Sequence, residues 1–159
     1  MANNPKNEII IVSNKTLARY SNTLIRRSID ELSHRLDFFG SAILIVEDDS
    51  TLLNLLSTFL KDKGFHNIDT AENGQEAIQK LQTQKYRLVL LNIGIPEPNG
   101  MKILEFIKRS AIHTKTILNT GFYEEEIVPY ILEQGASAFL KKPFNLDEVL
   151  STVIRLLDQ

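Results

Sequence analysis

Leu88-Val89-Leu90-Leu91-Asn92-Ile93-Gly94-Ile95-Pro96-Glu97-Pro98-Asn99-Gly100 is an uninterrupted apolar run that ends in an amide and gives way to a loop punctuated by two glycines and two prolines. A continuous Leu/Val run suits a strand covered on both faces, as parallel strands usually are. Asn99-Gly100 then marks a helix start. The same unit, a short Val/Ile/Leu-rich run followed by helical periodicity, recurs on either side. Strands are expected near 42–46, 66–70, 87–92, 115–119 and 137–140, and helices near 50–63, 73–83, 100–109, 126–134 and 145–157. Regular βα alternation makes the sheet parallel, so residues 41–159 read as a five-stranded doubly wound α/β domain. Local signals support the boundaries. Asp49 or Ser50 can cap the first of these helices and Gly64 can end it, while Asn145 can cap the last with Glu148 completing a capping box. Pro129 is tolerated only in a first turn, so the fourth helix should start near Ile127 or Val128, leaving Phe122–Glu126 as an acidic loop.

Composition narrows the class. An apolar content of 43% and a charged content of 24% over 159 residues are ordinary for a globular chain that buries one core. No apolar run approaches the roughly 20 residues of a membrane span, and Met1–Val12 lacks the basic start and long apolar stretch of a secretory signal, so a cytoplasmic protein with no membrane partner is expected. The absence of cysteine excludes disulfides and thiolate metal sites. A net charge of −2 gives no reason to expect nucleic-acid binding. The charge is uneven, however: residues 1–40 hold six Lys/Arg against four acids, and the rest holds twelve against sixteen. Two different units are implied, an N-terminal extension over 1–40 and the α/β domain.

In the extension, Glu8–Val12 could form a short strand, and residues 14–39 read as one long helix ending at Gly40. Ile25, Ile29, Leu32, Leu36 and Phe39 recur at helical spacing, with Leu17, Tyr20 and Leu24 on a neighbouring face. Such a stripe calls for a cover. It can pack on its own domain or form a homodimer contact.

Ligands of an open parallel sheet gather outside the carboxyl ends of the strands. Glu47 and Asp48 follow the first strand, and such a pair suits a hard cation such as Mg²⁺, although acids are equally at home at a solvated helix start. Asn119-Thr120-Gly121 ends the fourth strand and Phe139-Leu140-Lys141-Lys142-Pro143-Phe144 closes the fifth. Thr120 or Phe139 alone would mean only strand-end packing. Together, acids, a hydroxyl and a lysine surround Asn92 like a phosphoryl-transfer pocket without its acceptor carboxylate.

These motifs resemble the receiver domain (CheY-like) of bacterial two-component response regulators over about residues 42–157. In that family an aspartate ends the third strand, with a proline four and a glycine eight residues later; here those positions are Asn92, Pro96 and Gly100. The resemblance implies a flavodoxin-like sheet of order 2-1-3-4-5. It implies that Glu47, Asp48, Asn92 and the Gly94 carbonyl would surround Mg²⁺. It further implies that Thr120, Gly121 and Lys142 would contact a phosphoryl group, with Lys142-Pro143 typically cis and Phe139 as the switch aromatic. A sensor histidine kinase or another signalling protein would be the partner.

Asn92 departs from this pattern at the acceptor. A neutral amide is a poor nucleophile and cannot form an acyl phosphate, so conventional phosphorylation should be blocked and Mg²⁺ should bind weakly. The substitution is either an engineered one that traps an unphosphorylated regulator or a natural pseudo-receiver. The competing functions are a phosphorylation-independent dimerisation or interaction module, and a metal-dependent phosphohydrolase or phosphotransferase. The latter is disfavoured because no glycine-rich phosphate loop is present and the nucleophile position is an amide. No effector domain follows within the chain, so output must come from its own surfaces or from sequence outside it.

Overall fold

The computed structural model describes residues 14–110, 113–121 and 128–159, with 14–20 described for the backbone only. The expected strand at Glu8–Val12, the side chains of Leu17 and Tyr20, and the Phe122–Glu126 loop lie outside the described residues. In chain order the elements are α1 (Asn14–Phe39), β1 (Ile43–Val46), α2 (Ser50–Asp62), β2 (Ile68–Ala71), α3 (Gly74–Thr83), β3 (Leu88–Asn92), α4 (Gly100–Arg109), β4 (Lys115–Thr120), α5 (Val128–Glu133), β5 (Ala138–Lys141) and α6 (Leu146–Leu157). All strand pairs are parallel and the order is β2-β1-β3-β4-β5. This is the flavodoxin-like order that the motifs implied.

Strand alternation divides the core between two faces. Leu44, Val46, Val89, Leu91 and Leu118 pack with Ala77, Leu81, Ile103, Leu104 and Ile107 of α3 and α4. Ile43, Ile45, Leu88, Leu90 and Ile117 pack with Leu53, Leu56 and Leu60 of α2 and Val149, Val153 and Leu156 of α6. Helices therefore cover both faces, which explains the unbroken apolar runs of β1 and β3. Each fully buried Leu or Ile contributes roughly 1.5–3 kcal/mol relative to exposure. The helix starts follow the cap chemistry: Asp49 accepts from Thr51 N and Leu52 N, Asn99 from Lys102 N, and Asn145 from Glu148 N. β2 starts at Ile68, two residues later than expected, and Phe65 ahead of it is fully buried in the second core face.

The chain forms two compact units, Met1–Leu36 and Asp37–Gln159. In the second, Phe38, Phe39 and Phe65 pack in edge-on and tilted contacts with ring centroids 5.2–5.6 Å apart. Ser41 N donates to Phe38 O and His66 N to Phe39 O, so the last carbonyls of α1 find partners that a helix end otherwise lacks. Arg87 donates to Ser41 Oγ (2.8 Å) and to Leu157 O (2.9 Å), while Ser41 Oγ donates to Asp37 O (3.1 Å). One guanidinium thus ties the start of the α/β unit to the end of α6.

In the first unit Ile25, Ile29, Leu32 and Leu36 of the α1 stripe are 56%, 54%, 58% and 70% exposed. Helical periodicity identifies an amphipathic face but carries no information on what covers it. Among the described residues, no helix is long and apolar enough to cross a membrane.

Candidate functional site

The carboxyl ends of β1, β3, β4 and β5 bring Glu47, Asn92, Thr120 and Lys142 to one edge of the sheet. Glu47 is placed by its own backbone, whose N–H donates to Ala71 O at 3.0 Å, and its side chain is almost fully buried. Asp48 is exposed beside it. Asp49 is committed elsewhere as the α2 cap, so the paired acids facing the site are Glu47 and Asp48.

Asn92 ends β3 at 7% exposure, and its backbone is hemmed in. A Cβ on Gly100 would lie 2.6 Å from Ile93 Cα and 2.7 Å from Asn92 O, so only glycine allows α4 to begin there. A Cβ on Gly74 would fall 1.8 Å from Pro98 O, which makes glycine obligatory where α3 meets the same loop. Asn99 caps α4. The Lys102 ammonium, 2.8 Å from Glu97, hydrogen-bonds that carboxyl and holds it below the usual carboxylate range. The loop after Asn92 is thereby fixed at both ends.

The carboxamide of Asn92 is fully used. Its Nδ2 donates to Glu47 Oε1 and to Asp48 Oδ1, both at 2.9 Å, and its Oδ1 accepts from Gly94 N at 3.0 Å. The opposite amide orientation would set an oxygen against two carboxylates, so the partners determine which end is which. Lys142 Nζ lies 2.8 Å from the other Glu47 oxygen, and Lys142 N donates to Thr120 O at 2.8 Å. The Lys142-Pro143 bond is cis, as the resemblance implied, and so is Glu97-Pro98. Thr120 is buried, Gly121 follows it, and Phe139 is half-buried against the α3/α4 face of the core.

The residues suggested for a cation lie together at this end of the sheet. Glu47 and Asp48 converge, but the Asn92 oxygen that would ligate a cation faces Gly94, and the amide hydrogens point between the carboxylates instead. Among the described residues, no group of three or more His, Cys, Asp or Glu side chains is placed to hold a metal.

Sequence reasoning missed Asn119, which pairs in register with Asn92 and is 1% exposed. Neither its Nδ2 nor its Oδ1 has a hydrogen-bond partner among the described residues. A polar residue inside the Ile117-Leu118-Asn119 run was the available signal. Buried and unpaired amides carry a desolvation cost. Asn119→Leu, close to isosteric, is expected to raise the unfolding free energy by roughly 1–2 kcal/mol in urea denaturation. A loss of stability would show that the amide is hydrogen-bonded after all.

Comparison with known proteins agrees with this geometry. The profile of the response regulator receiver domain family matches residues 43–154. The CpxR homolog of Haemophilus influenzae, a transcriptional regulatory protein, is 38% identical over 117 residues, covering 74% of this chain and 50% of that protein. The chemotaxis protein CheY of Bacillus subtilis is 30% identical over 116 residues, covering 73% of this chain and 97% of its own length. A two-component response regulator from Clostridium difficile superposes with a TM-score of 0.69 at 30% identity, over 75% of this chain and 97% of that one. The chain spans about half the length of the transcriptional regulators it matches, 50% for CpxR homolog and for KdpE of Staphylococcus aureus alike.

Proposed function

The chain belongs to the response regulator receiver domain family, and we propose that it serves there as a phosphate-independent signalling module, recognised by a sensor histidine kinase or another signalling protein through its surface. One observation carries this reading: the Asn92 amide donates to both Glu47 and Asp48, the two carboxylates that a cation would need. Amide hydrogens satisfy both carboxylates, and Lys142 satisfies the second oxygen of Glu47. Glu47 is thus paired with a cation, and both acids accept hydrogen bonds from the protein's own donors.

The residues present fit at most a weakly held Mg²⁺. Binding would require the amide to turn over, losing two hydrogen bonds to carboxylates and one from Gly94 N, while offering a neutral oxygen in return for the anionic one that hard cations favour. Nor does the site hold an acceptor. The amide nitrogen of Asn92 has its lone pair delocalised and both hydrogens engaged, so it cannot displace a leaving group from a phosphodonor. No catalytic activity is assigned to the chain.

The test is direct. After incubation of the protein with acetyl phosphate and Mg²⁺, the intact mass should be unchanged. A gain of one phosphate located to residue 92 would overturn the reading, whereas label on Asp48 or Thr120 would show a bypass acceptor and overturn phosphate independence equally. A Mg²⁺ titration of the same protein should show only weak binding, tightened in Asn92→Asp.

A further inference from the structure

We propose that α1 is a self-recognition element that joins two copies of this chain as a parallel, in-register helix pair, with Asn22 facing Asn22. The inference is independent of how the Asn92 site is read. Asn22, Ile25, Ile29, Leu32, Leu36 and Phe39 follow one another at intervals of 3, 4, 3, 4 and 3 residues, the spacing of alternating a and d positions of a heptad. Every one of them from Asn22 to Leu36 is exposed. Phe39 alone is engaged within the α/β unit, against Phe65.

The occupant follows from the polar member of the stripe. An asparagine at an a position has no apolar surface to offer, and its amide is best satisfied by the same amide at the same level of a second helix. That match exists only when the two helices run parallel and in register. An antiparallel pairing that aligns the apolar layers would set Asn22 against a leucine or against Phe39, leaving the amide unsatisfied. The flanking positions agree with this choice. In the parallel register Arg26 lies opposite Ser21 and Ser33 opposite Ser28, so no like charges face each other along the seam. A second copy of this chain is thus the partner whose chemistry matches every exposed layer from Asn22 to Leu36. Because the described seam spans only about two heptads, the pairing is reversible and concentration-dependent.

The chain contains no cysteine, so a single introduced thiol can report on geometry without interference. Ile25→Cys and Leu36→Cys lie about 16 Å apart along the helix. Each should form a disulfide with its own copy under mild oxidation of the full chain, because only a parallel in-register pair brings both sets of identical positions within bonding range. His34→Cys, on the opposite side of α1, should stay monomeric in the same gel. Sedimentation velocity of the parent should show a monomer–dimer equilibrium, and Leu32→Glu should weaken it by about 100-fold or more, since two buried leucines are replaced by facing charges. The variant site is exposed in the monomer, so its folding should be intact by circular dichroism. A parent that stays monomeric at all concentrations would overturn the proposal and leave the stripe to another partner. Failure of either Ile25→Cys or Leu36→Cys to crosslink would overturn the parallel register.

Discussion

Asn92→Asp is expected to sharpen the response of this protein to Mg²⁺: less stable than the parent without the metal, and stabilised by it far more than the parent is. The substitution replaces a donor lying 2.9 Å from an oxygen of Glu47 and 2.9 Å from one of Asp48 with a third anionic oxygen. Two attractive contacts become repulsive ones. At an effective dielectric near 20, a like-charged pair at 4 Å costs about 4 kcal/mol, and two carboxylates at about 3 Å resist ionising together. Lys142 offsets part of this, and Asp48 is exposed enough to swing away. A net loss of about 2–4 kcal/mol in the presence of a chelator is therefore expected from urea denaturation. Adding Mg²⁺ at about 100 times its dissociation constant should return roughly 2.7 kcal/mol to the variant by mass action. The same variant should gain one phosphate from acetyl phosphate in a Mg²⁺-dependent way. If Asn92→Asp is as stable as the parent in chelator, the amide bridge does not satisfy the acids and the proposed function loses its main support.

Much of the fold was legible because its information is local. Ile43–Val46 and Leu88–Leu91 have no polar residue within them, as suits short strands covered on both faces, and the structure buries all eight side chains completely. Asp49, Asn99 and Asn145 announce helix starts through a chemistry that acts within three residues. The assembly of the site was legible for a different reason. A parallel sheet places every strand's carboxyl end on one edge, so residues spaced along the chain had to meet.

What escaped depends on neighbours brought close only by folding. The direction of the Asn92 amide is decided by Glu47 and Asp48, which are 45 and 44 residues away in sequence. Nothing around Gly74 marks it as indispensable until Pro98 O is found where its Cβ would stand. The α1 stripe illustrates a more general limit. Its periodicity says that a face is apolar, but an intramolecular cover and an intermolecular one write the same pattern into the sequence.

The second large effect is expected at Lys142, and its sign depends on whether its partner remains charged. Glu47 is 1% exposed, and Lys142 Nζ lies 2.8 Å from its Oε2 with 23% of the lysine side chain still accessible. Removing one partner of a buried ion pair leaves the other charge desolvated and uncompensated, which costs about 3–5 kcal/mol when burial is complete. Here the residual access of solvent to the lysine side and the Asn92 donor on Oε1 soften the loss. Lys142→Met is expected to reduce the unfolding free energy by about 2–3 kcal/mol. Glu47→Gln combined with Lys142→Met should recover most of that loss, because the carbonyl oxygen of the introduced amide can still accept from Asn92 Nδ2 and no buried charge remains. A double-mutant cycle read from urea midpoints checks both statements. If the double variant is less stable than Lys142→Met alone, the Glu47 carboxylate is held chiefly by the Asn92 amide and the surroundings of Asp48, and Lys142 is a bystander to the stability of the site.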